Sequence, residues 1–252
     1  MNNGKDYVRE DHDFLDHAWK MRNNLVFKGV MIDYGDTLAY TDQKASDEYL
    51  QEVALLIGKH GCSCDSSDVK SALSALYRKS SKGGMKDLDE LWSILLEDLG
   101  VSRKKELIDG LNQVRKRCCL PAIRLYDGVF SVLSSLEKKY LLALVSNCSV
   151  GTREVIEHIG LAKFFEHIIL SYEVGVRKPD RRIYVEALRV IGLKADQCVF
   201  VADEISDLEG ARKVGMATLL VRQGENTLVE AENIDFKPDF ECDHISQVMK
   251  FL

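Results

Sequence analysis

Apolar residues recur along this chain in short unbroken runs, with amphipathic stretches between them. Residues 25–32 (LVFKGVMI) and 140–145 (YLLALV) are the longest such runs. Residues 167–170 (HIIL), 198–202 (CVFVA) and 217–221 (ATLLV) repeat the pattern, and 240–242 is a weaker sixth case. Runs of this length, rich in β-branched residues, read as strands buried on both faces. The stretches between them carry apolar residues at helical spacing. Residues 128–139 place Val129, Val132, Leu133 and Leu136 on one face, and 152–159 do the same with Val155, Ile156 and Ile159. Residues 181–191 follow with Ile183, Ala187, Leu188 and Ile191, and 207–214 and 245–252 complete the helical set. Strand–helix alternation predicts an α/β fold whose core is a Rossmann-like parallel sheet with helices on both faces. Functional groups in such sheets sit in loops at the carboxyl ends of the strands.

One stretch interrupts the alternation. Residues 41–121 contain no convincing strand and read as four helices, at 44–60, 66–79, 88–99 and 103–118, punctuated by Gly61, Gly83, Gly84 and Gly100. The expected organisation is an N-terminal extension (1–24), an α/β core (25–40 and 122–252) and a helical cap domain (41–121) over the loop that follows the first strand. In the extension, Phe14, Leu15, Ala18 and Trp19 form an apolar stripe suited to docking on the core or on a second copy in a homodimer. His12 and His17, close to Asp13 and Asp16, read better as a solvated acidic helix face than as metal ligands.

Composition narrows the function classes. A net charge of −6 offers no general attraction to nucleic acid or anionic lipid, so a bound anion must be held by local groups. No segment has the ~20 apolar residues of a membrane span, and the charged first residues lack the apolar centre of a signal peptide. The seven cysteines have irregular spacings and match no zinc pattern. Reduced thiols in the cytoplasm are expected.

The chemistry-bearing residues stand at strand ends. Asp33-Tyr34-Gly35-Asp36-Thr37 follows the first strand. Ser146-Asn147 closes the second, where a hydroxyl next to free backbone N–H groups suits a phosphate oxygen. Lys178 precedes Pro179 in GVRKPD and brings a compact positive charge. Asp203 and Asp207, four residues apart, follow the strand 198–202 and suit an oxygen-seeking cation such as Mg2+. Each alone has an ordinary structural explanation: helix capping for the aspartates, a turn for Ser-Asn, an exposed lysine. Arg115, Lys116 and Arg117 fit a second anionic group on a ligand or a solvated helix face equally well.

The order of the four motifs, with a helical insert after the first, resembles the haloacid dehalogenase-like superfamily of hydrolases from about residue 25 to the C-terminus. The resemblance implies Asp33 as a nucleophile that becomes phosphorylated, with Lys178 as the catalytic cation. It implies Ser146, Asn147, Asp36 and Thr37 as substrate-binding residues. Mg2+ would be held by Asp33, the Gly35 carbonyl, Asp203 and Asp207, and the substrate would be a small phosphorylated metabolite.

The chain departs from the family pattern at one position. Phosphatases of the superfamily usually carry a second aspartate two residues after the nucleophile, to protonate the leaving oxygen, and here that residue is Gly35. Loss of a general acid typically removes ~10²–10⁴-fold in rate. Asp36, Tyr34 and Glu204 are the nearby substitutes. Three readings follow: an impaired or leaving-group-selective phosphohydrolase, a phosphate- or partner-binding protein without strong catalysis, and a carbon–halogen hydrolase, which needs no such acid.

Overall fold

The computed structural model describes residues 26–223 and 236–252. The N-terminal stripe, His12, His17 and Leu25 lie outside the described residues. The first strand, β1 (Gly29–Ile32), is followed by β2 (Ala39–Thr41). Four helices come next: α1 (Gln43–Gly58), α2 (Ser66–Ser80), α3 (Leu88–Asp98) and α4 (Lys105–Val114). A π-helical turn (Arg115–Cys119) and a short 3-10 turn then lead to β3 (Ile123–Leu125). The remaining elements are α5 (Val129–Leu136), β4 (Leu141–Ser146), α6 (Thr152–His158), β5 (His167–Leu170), the single-turn α7 (Ser171–Val174), α8 (Arg181–Ile191), β6 (Cys198–Ala202), α9 (Ile205–Lys213), β7 (Ala217–Val221) and β8 (Phe240–Cys242).

Six strands form a parallel sheet in the order β5-β4-β1-β6-β7-β8. β1 is central, with Ile32 level with Leu144 on one side and Val201 on the other. Alternate residues enter opposite layers. Val30, Ile32, Leu142, Leu144, Val199 and Val201 pack with the apolar face of α5. Met31, Ala143, Val145, Phe200 and Ala202 pack with α8 and α9. Burial on both faces is why these strands are uninterrupted apolar runs in the sequence.

The insert builds its own apolar centre from Val53, Ile57, Leu73, Leu91, Trp92, Leu95, Leu107 and Leu111. Three of its helices start on aspartates that accept backbone N–H groups, Asp42, Asp65 and Asp87, and Asp65 forms a full capping box with Asp68.

The structure corrects the sequence reading at several places. The chain enters and leaves the insert through an antiparallel ribbon, β2 against β3, with Ala39 opposite Leu125 and Thr41 opposite Ile123. Three-residue strands are too short to show periodicity. The expected helix 103–118 is α4 plus the π turn. The C-terminal helix expected at 245–252 is a 3-10 helix, Ile245–Lys250.

Candidate active site

β4, β1 and β6 are neighbours, so the residues that follow them meet at one end of the sheet. Asp33 continues the ladder beyond β1, its N–H donating to the Val201 carbonyl at 2.9 Å. Ser146 is the last residue of β4 and is buried. Asp203 follows β6, and Asp207 lies in the first turn of α9. Lys178 arrives from the loop between α7 and α8.

These residues surround one cavity of about 470 Å3, lined by Asp33, Gly35, Asp36, Ser146, Asn147, Arg177, Lys178, Asp203, Glu204 and Asp207. Arg177 joins residues to which the sequence reading gave a role, among them Glu204, a suggested stand-in for the absent acid. Five carboxylates face two cations there, a charge balance that only the assembled loops reveal.

The Lys178 ammonium is buried between two carboxylates, 2.7 Å from Asp33 Oδ1 and 2.6 Å from Asp207 Oδ2. Burial works against its charge, but Asp207 and Asp33 outweigh that and raise its pKa, so it remains an ammonium. Asn147 fixes the backbone beneath it: Lys178 N donates to Asn147 Oδ1 at 2.8 Å, and Asn147 Nδ2 donates to the Lys178 carbonyl at 3.0 Å. The oxygen and the nitrogen of the Asn147 side-chain amide are therefore both engaged by protein backbone, although the residue borders the cavity.

Thr37, read from the sequence as substrate-facing, is fully buried and is not part of the cavity lining. Its hydroxyl donates to Asp203 Oδ1 at 2.7 Å and accepts from Asp203 N at 3.1 Å. Asp36 does line the cavity, in a left-handed backbone conformation with φ 54°, and its N–H donates to the Ala39 carbonyl at 2.8 Å. Gly35 is outside that left-handed region, and a Cβ built on it meets nothing within 4 Å.

Of the two other suggested stand-ins for the absent acid, Tyr34 faces the core and Glu204 lines the cavity. Tyr34 packs against the apolar core and its hydroxyl is raised by burial. Glu204 accepts from Ser206 Oγ at 2.6 Å. Cys148 is not among the cavity-lining residues, and burial pushes its thiol up to about 12. The basic residues at the end of α4 do not reach the cavity. Arg115 is buried and paired with Glu154, and Arg117 lies 2.7 Å from Glu52.

A model of the haloacid dehalogenase-like hydrolase family matches residues 88–221, more than half of the chain and three of its four strand-end motifs. The chain belongs to the haloacid dehalogenase-like hydrolases. It is 27% identical over 230 residues to a glyceraldehyde 3-phosphate phosphatase of Methanopyrus kandleri, covering 89% of this chain and 96% of that one. It is 28% identical over 194 residues to an (S)-2-haloacid dehalogenase of Pseudomonas sp. strain YL, covering 71% and 80%. The putative HAD-hydrolase YfnB of Bacillus subtilis, solved bound to magnesium, shares the fold at a TM-score of 0.57 and 20% identity, over 88% of this chain and 97% of that one.

The donor set of this haloacid dehalogenase-like hydrolase fits a hard divalent cation. Among the described residues no group of three or more His, Cys, Asp or Glu side chains is arranged to hold a metal. Mg2+ does not ask for one, since it takes one or two carboxylates and completes its shell with water and phosphate oxygens. Asp203 has no cationic partner among the described residues. Burial first, and then the charge of Asp33, raise its pKa to about 7, against the pull of the Thr37 hydroxyl. A carboxylate made uncomfortable by its neighbours is relieved by a cation. Asp207, expected as a further ligand, has its Oδ2 on Lys178 and its buried Oδ1 without a hydrogen-bond partner among the described residues.

Proposed function

We propose that this chain is a Mg2+-dependent phosphohydrolase acting on a small phosphorylated metabolite, with Asp33 as nucleophile. The single observation that carries the reading is the buried Lys178 ammonium, held between Asp33 and Asp207 in the wall of a cavity that also presents Ser146 and Asp203. An anionic nucleophile must approach an anionic phosphate, and fixed positive charge makes that approach possible.

In the proposed reaction, a carboxylate oxygen of Asp33 attacks phosphorus and the bond to the leaving oxygen breaks, giving an aspartyl phosphate. Water then hydrolyses the acyl phosphate and restores the carboxylate. Lys178 holds the nucleophile in place and balances phosphoryl charge, and Ser146 donates to a phosphoryl oxygen. Asp33, the Gly35 carbonyl and Asp203 would hold Mg2+, which supplies charge neutralisation at the phosphoryl oxygens when bound. The helical insert acts as the cap from which the leaving group is selected. With no side-chain acid at residue 35, substrates whose leaving group needs little protonation, such as aryl or acyl phosphates, are favoured over sugar phosphates.

Among the described residues no helix is long and apolar enough to cross a membrane. All seven cysteines are free thiols, which supports a reducing, cytoplasmic setting.

The test is a phosphatase screen with and without Mg2+ on wild type and Asp33→Asn. Turnover by wild type that requires Mg2+ and falls at least ~10³-fold in the variant is expected. Wild-type turnover in Asp33→Asn would overturn the mechanism. Carbon–halogen hydrolysis is the second reading, favoured by Gly35 and by the likeness to the Pseudomonas dehalogenase. Halide release from a 2-haloacid in excess EDTA, without phosphatase activity, would put it first.

A further inference from the structure

The loop 147–151 between β4 and α6 begins directly after Ser146, the last residue of β4, and two parts of the chain grip it. At its first half the grip comes from the core. Asn147 exchanges hydrogen bonds with the Lys178 backbone, Cys148 N donates to Ser171 Oγ at 3.0 Å, and Ser171 Oγ donates to the Cys148 carbonyl at 3.1 Å. At its second half the grip comes from the insert. Val150 is buried in the insert's apolar cluster, not the core's. Its N–H donates to Ser80 Oγ at 3.0 Å, and Ser80 is fully buried at the end of α2.

Arg115 completes the second grip. Its side chain is 6% exposed, and its guanidinium donates to the Gly151 carbonyl at 2.7 Å and to Glu154 in the first turn of α6. Gly151 has φ 86°, and a Cβ there would lie 2.9 Å from Arg115 Nη2 and 2.9 Å from Leu88 Cδ2. A glycine is thus required at that position both by its backbone and by the closeness of the arginine. Arg115 opens the π turn on which the chain leaves the insert, a helical irregularity that often accompanies functional positions.

We infer that Arg115 and Ser80 are positioning residues through which the insert holds the loop 147–151, and so the Ser146 hydroxyl, in its phosphate-binding arrangement. Without them the backbone carbonyl of residue 151 and the N–H of residue 150 lose buried partners, and the loop loses its fixed end. The inference rests on the proposed phosphate site, so the experiment separates the two. Arg115→Met, Arg115→Lys and Ser80→Ala are compared with wild type in the full chain. Readouts are p-nitrophenyl phosphate kinetics, binding of inorganic phosphate by calorimetry with Mg2+ present, and a thermal melt.

In Arg115→Met, KM and the dissociation constant for inorganic phosphate should rise together by about tenfold or more, the size typical of a lost supporting partner, with a smaller change in kcat. Arg115→Lys should recover part of the loss, because an ammonium can still reach one of the two acceptors. Ser80→Ala removes one hydrogen bond, keeps the ion pair, and should shift both constants in the same direction by less. If a cooperatively folded Arg115→Met or Ser80→Ala binds inorganic phosphate as wild type does, the inference is wrong, and Arg115 only stabilises the fold. If wild type itself neither binds phosphate nor turns over substrate, the proposed function fails first.

Discussion

Replacing Gly35 by aspartate puts a carboxyl group where phosphatases of this superfamily usually have one. The structure allows it. The position is outside the left-handed region, and apart from the adjoining residues nothing lies within 4 Å of the new Cβ. The backbone part of such a replacement, as measured for glycine to alanine, is no more than about 1 kcal/mol. The new group enters a cavity that already holds Asp33, Asp36, Asp203, Glu204 and Asp207, so its pKa is pushed up, which favours the protonated form a general acid needs. A well-placed general acid is worth ~10²–10⁴-fold, or about 3–5 kcal/mol of barrier. An imperfectly placed one should still give about tenfold. The assay is kcat/KM on glycerol phosphate and on p-nitrophenyl phosphate, with saturating Mg2+. The alkyl phosphate should gain at least about tenfold and the aryl phosphate less than about threefold, because only the alkoxide requires a proton as it leaves. Equal gains on both substrates, or a loss on the alkyl phosphate alone, would refute the reasoning.

Other perturbations follow from the same geometry. Thr37→Val keeps shape but removes both hydrogen bonds to Asp203, one of them to a carboxylate, and should cost about 3 kcal/mol in urea unfolding. A loss under about 1 kcal/mol would count against that bond pair. Lys178→Met leaves Asp33 and Asp207 facing each other without a cation. It should destabilise the fold by about 3–5 kcal/mol at pH 7 and abolish turnover, checked by calorimetry and by the phosphatase assay. The raised pKa of Asp203, about 7, has a definite sign: without metal the folded chain keeps a proton there that the unfolded chain has released. Stability from this group is therefore present at low pH and falls as pH rises towards 7. If Mg2+ binds Asp203 as proposed, it must displace that proton, and the Mg2+ concentration for half-maximal protection in a thermal melt should rise about tenfold per pH unit below 7. A Mg2+ requirement independent of pH between 5 and 7 would remove Asp203 from the metal site.

Much of this protein was readable before its fold. A buried parallel strand must be apolar on both faces, so β5, β6 and β7 stand in the sequence with the bounds they have in the structure, while the edge strand β8, with Glu241 exposed, is the weaker case at its own bounds. Functional loops follow such strands, so Asp33, Ser146, Lys178 and Asp203 stand out as candidates, but each alone has an ordinary structural explanation, and their roles are expected only from the family resemblance that their order carries. The short ribbon of β2 and β3 could not be read, because its pairing joins residues about 80 apart and leaves no local periodicity.

What only the tertiary structure decided is the partner of each polar group. One residue of loop geometry turns the Thr37 hydroxyl onto Asp203, 166 positions away, and away from the cavity. Arg115 looks in the sequence like part of a solvated basic stretch, yet it is buried against the loop after Ser146, 36 residues on. Lys178 takes one carboxylate from the end of β1 and one from the first turn of α9. Local sequence sets hydrophobic period and capping because these depend on residues a few positions apart. Hydrogen bonds and ion pairs at this site join segments that meet only when the sheet is formed, and their directions are fixed by that meeting.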